Sequence, residues 1–453
     1  MTTLPTAAPH TTGQGGAAPA PPVRAGRAET ARFVATHTLP AFVRGLASVR
    51  HPVVSLYAKV NQSSWSNATL RAMKRKHGGA PVLVRGLSGD MLVLFEQSDI
   101  RRFFEEPVMT LAMDPPDKYD ALSVFEPNGV ICSRGARREE RRDLNDEVLA
   151  WHEPVHPDCT DYLRIVAEES RALTASGTLG SAAVVAAASR LSRRIVLGDR
   201  AADDGELAGW LGLLRRRSNW MGKARPRESK ALYAKVEARV AEYAATAPAH
   251  TLVARALAAP SPEGTDPLGQ THHWLLAVDA GVGGIIARTL LLLAAHPAEQ
   301  EAAYDDALTG GPVFPRLRAC VQETVRLYPV VPDLVRVTRE ETEWRGVRQP
   351  AGTAVLVPIG FHQRDPEAVP GAQLFVPARW LKPDADRDTT MAPFGQGPGR
   401  CPGDQLGLLL GSALCAEVLR GHRLTGGHPV LDTGRPLPGV LDTGRIRLRL
   451  TPR

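Results

Sequence analysis

The sequence predicts a mainly α-helical fold with small β-sheets, gathered as a single domain around one buried site. Three observations predict it. Apolar residues recur at helical spacing across residues 137–295, as at Leu191, Ile195 and Val196. Strand-like alternation is confined to short runs at residues 80–95 and 352–358. A glycine-rich loop around a lone cysteine leads directly into an apolar closing helix over residues 405–419.

The 453 residues are enough for two or three average domains, or for one large helical domain. No composition shift, Gly/Ser/Pro linker or internal repeat divides the chain after its start, so one domain is the simpler reading. Residues 1–28 are rich in Ala, Pro, Gly and Thr and read as a disordered leader, followed by a folded domain over residues 29–453. That leader lacks the basic start and apolar core of an export signal. Within residues 80–95 the alternation breaks at Gly86 and at Ser88-Gly89-Asp90, which predicts a hairpin. In the helical middle, Gly198-Asp199 closes the helix of Leu191 and Ile195. Residues 274–295 form an apolar run long enough to span a bilayer, but Asp279 and Arg288 are costly at membrane depth, so the run reads as a buried core helix. Another helix starts after Pro315 and ends near Tyr328-Pro329. Short strands and an irregular stretch then precede the closing helix.

Composition narrows the function classes. Hydrophobic residues make up 43% and charged residues 23%, ordinary values for a globular chain. Lys and Arg outnumber Asp and Glu 55 to 48, a net charge of +7, with local clusters at Arg137, Arg138, Arg141 and Arg142 and at residues 215–217. Without interleaved aromatics these clusters read as solvated helix faces, and nucleic-acid binding is not expected. The five cysteines, Cys132, Cys159, Cys320, Cys401 and Cys415, are odd in number and lack CxxC spacing. That argues against a disulfide framework and a zinc site, and for a reducing, cytoplasmic setting.

The strongest chemical signal is Phe394-Gly-Gln-Gly397-Pro-Gly-Arg400-Cys401-Pro-Gly403. Glycines let the backbone pass close beneath a flat ligand, and N–H groups at a helix start favour a thiolate over a thiol. A glycine-rich turn holding a buried free cysteine is the plainer alternative. Upstream, Glu323-Thr-Val-Arg326 places an acid and a base on one helix face, which alone means a weak pair. Arg379, in Phe375-Val-Pro-Ala-Arg379-Trp, supplies a third partner for a buried charge network bracing the cysteine loop.

Taken together, the cysteine loop, the ExxR helix and the Pro-x-Arg segment, in this order and spacing, resemble the cytochrome P450 family. The resemblance continues through Arg336-Val337, Gly352-Thr353, Arg364-Asp365-Pro366 and the helix end at His296-Pro297, and covers roughly residues 30–453. It implies haem b (iron protoporphyrin IX) with Cys401 as the iron ligand. By position it implies Phe394, Gly397, Arg400, Cys401 and Gly403 along the cofactor, and Arg138, Arg142 and Arg336 as propionate anchors. Gly399 stands where a basic anchor is usual, with Arg400 beside it as the expected replacement. Substrate contacts are expected from residues 109–125, Asp279, Val282, Gly283, Val330 and Val331. The clusters at residues 215–217 and 223–227 fall where the family has its mobile lid.

The chain departs from the family on the distal helix. Counting back from His296-Pro297 puts the usual acid and Thr at Ala280 and Gly281, and no Ser or Thr lies between Thr271 and Thr289. Asp279 is one residue early, about 100° around the helix. It has two readings, a pocket group and a helix residue bonded away from the ligand. Heterolytic O–O cleavage needs protons at the distal oxygen, so Asp279, Ala280 and Gly281 are where catalysis should differ. Three outcomes stay open. The substrate supplies the missing group in an otherwise ordinary ferredoxin-dependent monooxygenase. A peroxide or a substrate with a weak N–O bond is the oxidant, giving oxo or nitrene transfer in specialised-metabolite biosynthesis. Or the protein binds haem without turnover. The expected partners are a small-molecule substrate and, where electrons are needed, a ferredoxin with its reductase, docking near Arg137, Arg141 and Arg400. No membrane is expected, and the chain is expected to be a monomer.

Overall fold

The computed structural model describes residues 20–45, 48–86, 89–221, 223 and 225–453. Helices dominate, and three small sheets flank them. Alternation of buried Val82 and Val84 with the exposed Arg85 makes Val82–Arg85 a strand. It pairs antiparallel with Asp90–Val93, in the register Val82 to Val93, forming the expected hairpin. Residues 87–88 of its turn lie outside the described residues. Asp90–Val93 continues parallel to Ala354–Val357, which runs antiparallel to Leu334–Thr338 with Arg336 opposite Val355. Val23–Arg24 and Leu111–Ala112 complete this six-stranded sheet at its two edges.

Most of the expected leader lies outside the described residues, and its end belongs to the fold. Val23 aligns with Val82 in a parallel pairing, and a helix begins at Arg27. The segment Arg27–Lys76 is helical in pieces that composition did not signal, because its polar content masks the few residues, such as Phe33, Leu70 and Met73, that reach the core. The carboxyl-terminal strands His422–His428 and Arg447–Pro452, with Thr178–Gly180, form a second sheet that sequence periodicity also missed.

The helical mass packs around the apolar run of the distal helix and the closing helix Asp404–Gly421. Leu290, Leu293, Leu410 and Leu414 are fully or almost fully buried in one cluster with Leu191, Ile195 and Tyr162. Each such side chain contributes about 1.5–3 kcal/mol on leaving water. The helix Ser181–Leu197 stops where expected, at Gly198, whose φ of 101° suits a residue without Cβ. The helix Pro315–Leu327 begins with proline at its first position and ends at Tyr328, before Pro329.

The distal helix has a defect where the site should be. Thr271–Leu276 is α-helical, Ala277–Val282 winds as a π-helix, and Gly283–Ala295 resumes the α-form. The whole of Leu268–Ala295 is, among the described residues, the one helix long and apolar enough to cross a membrane, and 65% of its most apolar window is buried inside the protein.

Candidate active site around Cys401

Gly397 and Gly395 take φ of 63° and 72°, turning the chain tightly ahead of Cys401. A Cβ on Gly397 would lie 2.1 Å from the carbonyl oxygen of Phe104, so only glycine lets the loop press against the helix Gln97–Glu105. The Cys401 N–H donates to the Phe394 carbonyl at 2.9 Å, and Phe394 itself packs on Ile285, Val325 and Leu408. Gly403 caps the closing helix. Cys401 has accessible surface, yet burial pushes its thiol up to about 11, so it faces a space enclosed by protein. Asp404 adds to that rise, while the Gly403 N–H, Arg142 and Arg400 oppose it. The expected preference for thiolate is therefore not met by the loop alone. Helix-start donors and the nearby arginines favour the thiolate, and burial opposes it.

A buried charge network ties the helix Pro315–Leu327 to residues 363–380, upstream of the loop. Glu323 and Arg326 are both 0% exposed and join by two hydrogen bonds of 2.8 Å. Arg326 also donates to the carbonyls of Gln363, Ala372 and Leu374. Glu323 accepts from the Val376 N–H at 2.9 Å, from Arg379 Nε at 3.2 Å and from Trp380 Nε1 at 2.8 Å. The three expected residues meet, and Trp380 and the accepting carbonyls join them. A buried pair offsets its desolvation only when the remaining lone pairs and protons are satisfied, as they are here.

The cationic residues divide. Arg138 and Arg336 are buried, and Arg336 is held down to about 10 chiefly by burial and then by Arg138, while burial and then Arg142 lower Arg138. Arg336 donates to the Phe103 carbonyl at 2.6 Å, and Arg138 Nε is buried without a hydrogen-bond partner. Two desolvated guanidiniums without an ion pair to either among the described residues form a cradle for an anion, which suits a haem propionate. Lys118 joins them, its pKa pushed down to about 8 by burial and then by Arg336. A solitary lysine in a polar helix gave no sequence signal. Arg142 takes a different part. It pairs with Asp146 at 2.7 Å, donates to the Arg400 carbonyl at 2.7 Å and lies over Trp151, bracing the loop from outside.

Arg400 does not replace the missing anchor. Its guanidinium turns to Asp404 at 2.7 Å and Asp386 at 3.1 Å. Arg336 reaches the space beside Gly399, where a Cβ would stand 2.5 Å from its Nη2. The strand residue thus fills the place of a loop side chain. Arg141, expected on a docking face, is buried and bonded to Thr265, Ser133 and Asn128, while Arg137 stays largely exposed.

On the distal helix, Asp279 pairs with Arg215 at 3.2 Å and feels Arg193. Burial raises its pKa and Arg215 opposes the rise. Of its two readings, the bonded helix residue is the observed one. Ala280 sits by its backbone in the same π-turn. Gly281 opens onto free space, with nothing within 4 Å of a built Cβ. Ala277, Gly281 and Gly284 all keep accessible surface and share that face. Val282 and Gly283, expected in the pocket, point away. Val282 belongs to the apolar core, and a Cβ on Gly283 would meet that of Ala188 at 2.8 Å. Val330 and Val331 are exposed, at 53% and 55%.

Residues 288–434 match the family model described as Cytochrome P450. A cyclooctat-9-en-7-ol 5-monooxygenase of Streptomyces melanosporofaciens is 32% identical over 185 residues, 38% of this chain and 38% of that protein. A methyltetrahydroprotoberberine 14-monooxygenase of Papaver somniferum is 36% identical over 124 residues, 26% of this chain and 24% of that protein. The matched segments thus span well under half of these relatives. Among solved structures, retinoic acid bound cyanobacterial CYP120A1 aligns with a TM-score of 0.69 at 16% identity, over 84% of this chain and 94% of that one.

Proposed function

We propose, from the premise that the chain belongs to the cytochrome P450 family, whose members bind haem b, that it is a haem-thiolate oxidoreductase acting on a small molecule without the usual acid–hydroxyl pair. The cofactor supplies a redox-active iron, made electron-rich by its thiolate ligand. Cys401 is that ligand. Arg138 and Arg336, with Lys118 beside them, hold the propionates, and the Glu323–Arg326–Arg379 network ties down residues 363–380, upstream of the loop from which Cys401 projects.

The observation that carries the reading is the pairing of Asp279 with Arg215 beside the bare Gly281. The carboxylate is paired with Arg215 and turned toward the helix Gly205–Ser218, away from the open face. Proton delivery to a distal oxygen has no side chain to pass through at residues 279–281. An oxidant that needs no such relay suits this site best, namely a peroxide or a substrate carrying a weak N–O bond, with oxo or nitrene transfer as the outcome. The second reading is monooxygenation in which the substrate's own hydroxyl or carboxyl carries the proton. The monooxygenases among the matched relatives favour it. In that case a ferredoxin and its reductase supply electrons, with Arg137 the exposed cation of the three first expected at the docking face.

Two measurements test the proposal. The reduced, carbon monoxide-bound difference spectrum gives the band of thiolate-ligated haem, lost in Cys401→Ser. Anaerobic incubation with an N–O or peroxide substrate gives product without an electron donor. A product that requires both dioxygen and reductant refutes the oxygen-independent reading and leaves the second.

A further inference from the structure

Arg288 lies seven residues beyond Gly281, on the same face of the distal helix. Its side chain runs back toward the helix start. Its Nη1 stands 3.7 Å from where a Cβ on Gly284 would be, so the guanidinium occupies the space left by that glycine. It retains accessible surface, yet burial holds its pKa down to about 10, just as burial raises that of Cys401. Both groups face enclosed space, not bulk water.

No counter-ion meets this charge. Apart from burial, the groups that bear on Arg288 are Tyr328 and Arg44, and no carboxylate is among them. Arg288 Nε is buried without a hydrogen-bond partner among the described residues, and the same holds for Arg44 Nε, while the Tyr328 hydroxyl is shared with Arg364. The guanidinium lies 5.9 Å from the Tyr328 ring centroid. The other buried arginines nearby are satisfied. Arg364 donates to Gln373 and to three carbonyls, and Arg326 to Glu323. A desolvated, unpaired guanidinium opposes folding, and such a group is a mark of a binding site.

We propose that Arg288, with the Tyr328 hydroxyl and Arg44 at its side, is the subsite that receives a carboxylate carried by the substrate. The inference rests on the small-molecule reading above and adds the substrate's class. A planar guanidinium suits a carboxylate by two parallel hydrogen bonds, and the bare glycines at 281 and 284 leave room for the body of the ligand. The haem's own propionates are the other source of a carboxylate, and their cradle is the separate cluster of Arg138, Arg336 and Lys118.

The test uses the holoprotein and a series of straight-chain carboxylates from hexanoate to tetradecanoate with their methyl esters, followed by calorimetry. At the best chain length the acid binds tighter than its ester by about ten- to a hundredfold, the worth of a charge-assisted pair. Arg288→Met abolishes that preference, Arg288→Lys keeps part of it, and Arg137→Ala keeps all of it. In the absence of ligand, Arg288→Met melts higher than the parent, because a buried unpaired charge is gone. A series with no preference at any length, a preference unchanged in Arg288→Met, or a lower melting temperature in that variant each overturns the proposal. Loss of bound haem in Arg288→Met with the acid preference intact also overturns it, assigning Arg288 to a propionate. Calorimetry is indifferent to the iron's axial ligand, so failure of the carbon monoxide band would reject the haem-thiolate reading by itself.

Discussion

Gly281 and Gly283 are two residues apart on one helix, yet alanine at each should shift stability in opposite directions. Replacing a helical glycine by alanine gains about 0.5–1 kcal/mol from the backbone entropy that glycine loses on folding. At position 281 nothing opposes the gain, because the new methyl enters open space. At position 283 the methyl meets the Cβ of Ala188 at 2.8 Å, in the helix Ser181–Leu197. Overpacking of that kind costs about 1–3 kcal/mol, which leaves a net loss near 1 kcal/mol. The two variants should therefore differ by about 2 kcal/mol in urea unfolding followed by circular dichroism, Gly281→Ala the more stable. Adding Ala188→Gly to Gly283→Ala should recover stability beyond the sum of the single changes, by about 1 kcal/mol, while the same cycle with Gly281→Ala should close to zero. Equal stability of the two alanine variants, or a null coupling at 283, would refute the claim that Gly283 exists for helix contact and Gly281 for open space.

Two further outcomes follow from buried charge. Glu323→Ala strands Arg326 among carbonyls and should cost about 3–5 kcal/mol, read as lower haem content and an earlier urea midpoint. Burial holds His362, which bonds the Leu94 carbonyl, at a pKa of about 4 against 6.5 for the free side chain. The unfolded chain then binds the extra proton between those values, so this contribution is complete above pH 6.5 and is lost as pH falls toward 4. Across that window His362→Gln should flatten the slope of unfolding free energy by up to about 1.4 kcal/mol per pH unit, and an unchanged slope would place the titration elsewhere.

Local motifs were legible in the sequence because their chemistry is local. The glycines before Cys401 are there to turn the chain, and Glu323 and Arg326 share a face at a spacing of three. Arg379 could be added because one more cation near that pair had an obvious use. Other features depended on contacts across the fold. Arg215 reaches Asp279 from 64 positions away, and Arg336 fills the space of Gly399 from a strand. Family layout places Val282 and Gly283 in the pocket, and the contacts that occupy them, the apolar core for Val282 and Ala188 for Gly283, come from other helices that local sequence does not reveal. Arg141 was taken for a solvated cation because a run of arginines hides which member points inward, and only the packing against Thr265 decides it.

The exchange between Gly399 and Arg336 separates two jobs that a basic residue within the cysteine loop would join. With Arg336 on the strand Leu334–Thr338, tethered to the Phe103 carbonyl, the electrostatic grip would belong to the sheet and to the helices that carry Arg138 and Lys118. The loop is left with the sulfur alone. Were haem bound there, changes in hydrogen bonding around Cys401 would act chiefly on the sulfur, and changes at Arg336, Arg138 or Lys118 chiefly on the hold on its propionates. An engineer, or natural variation, has two dials on this scaffold, coupled only where Arg138 and Arg336 touch the loop at Pro398 and Gly399.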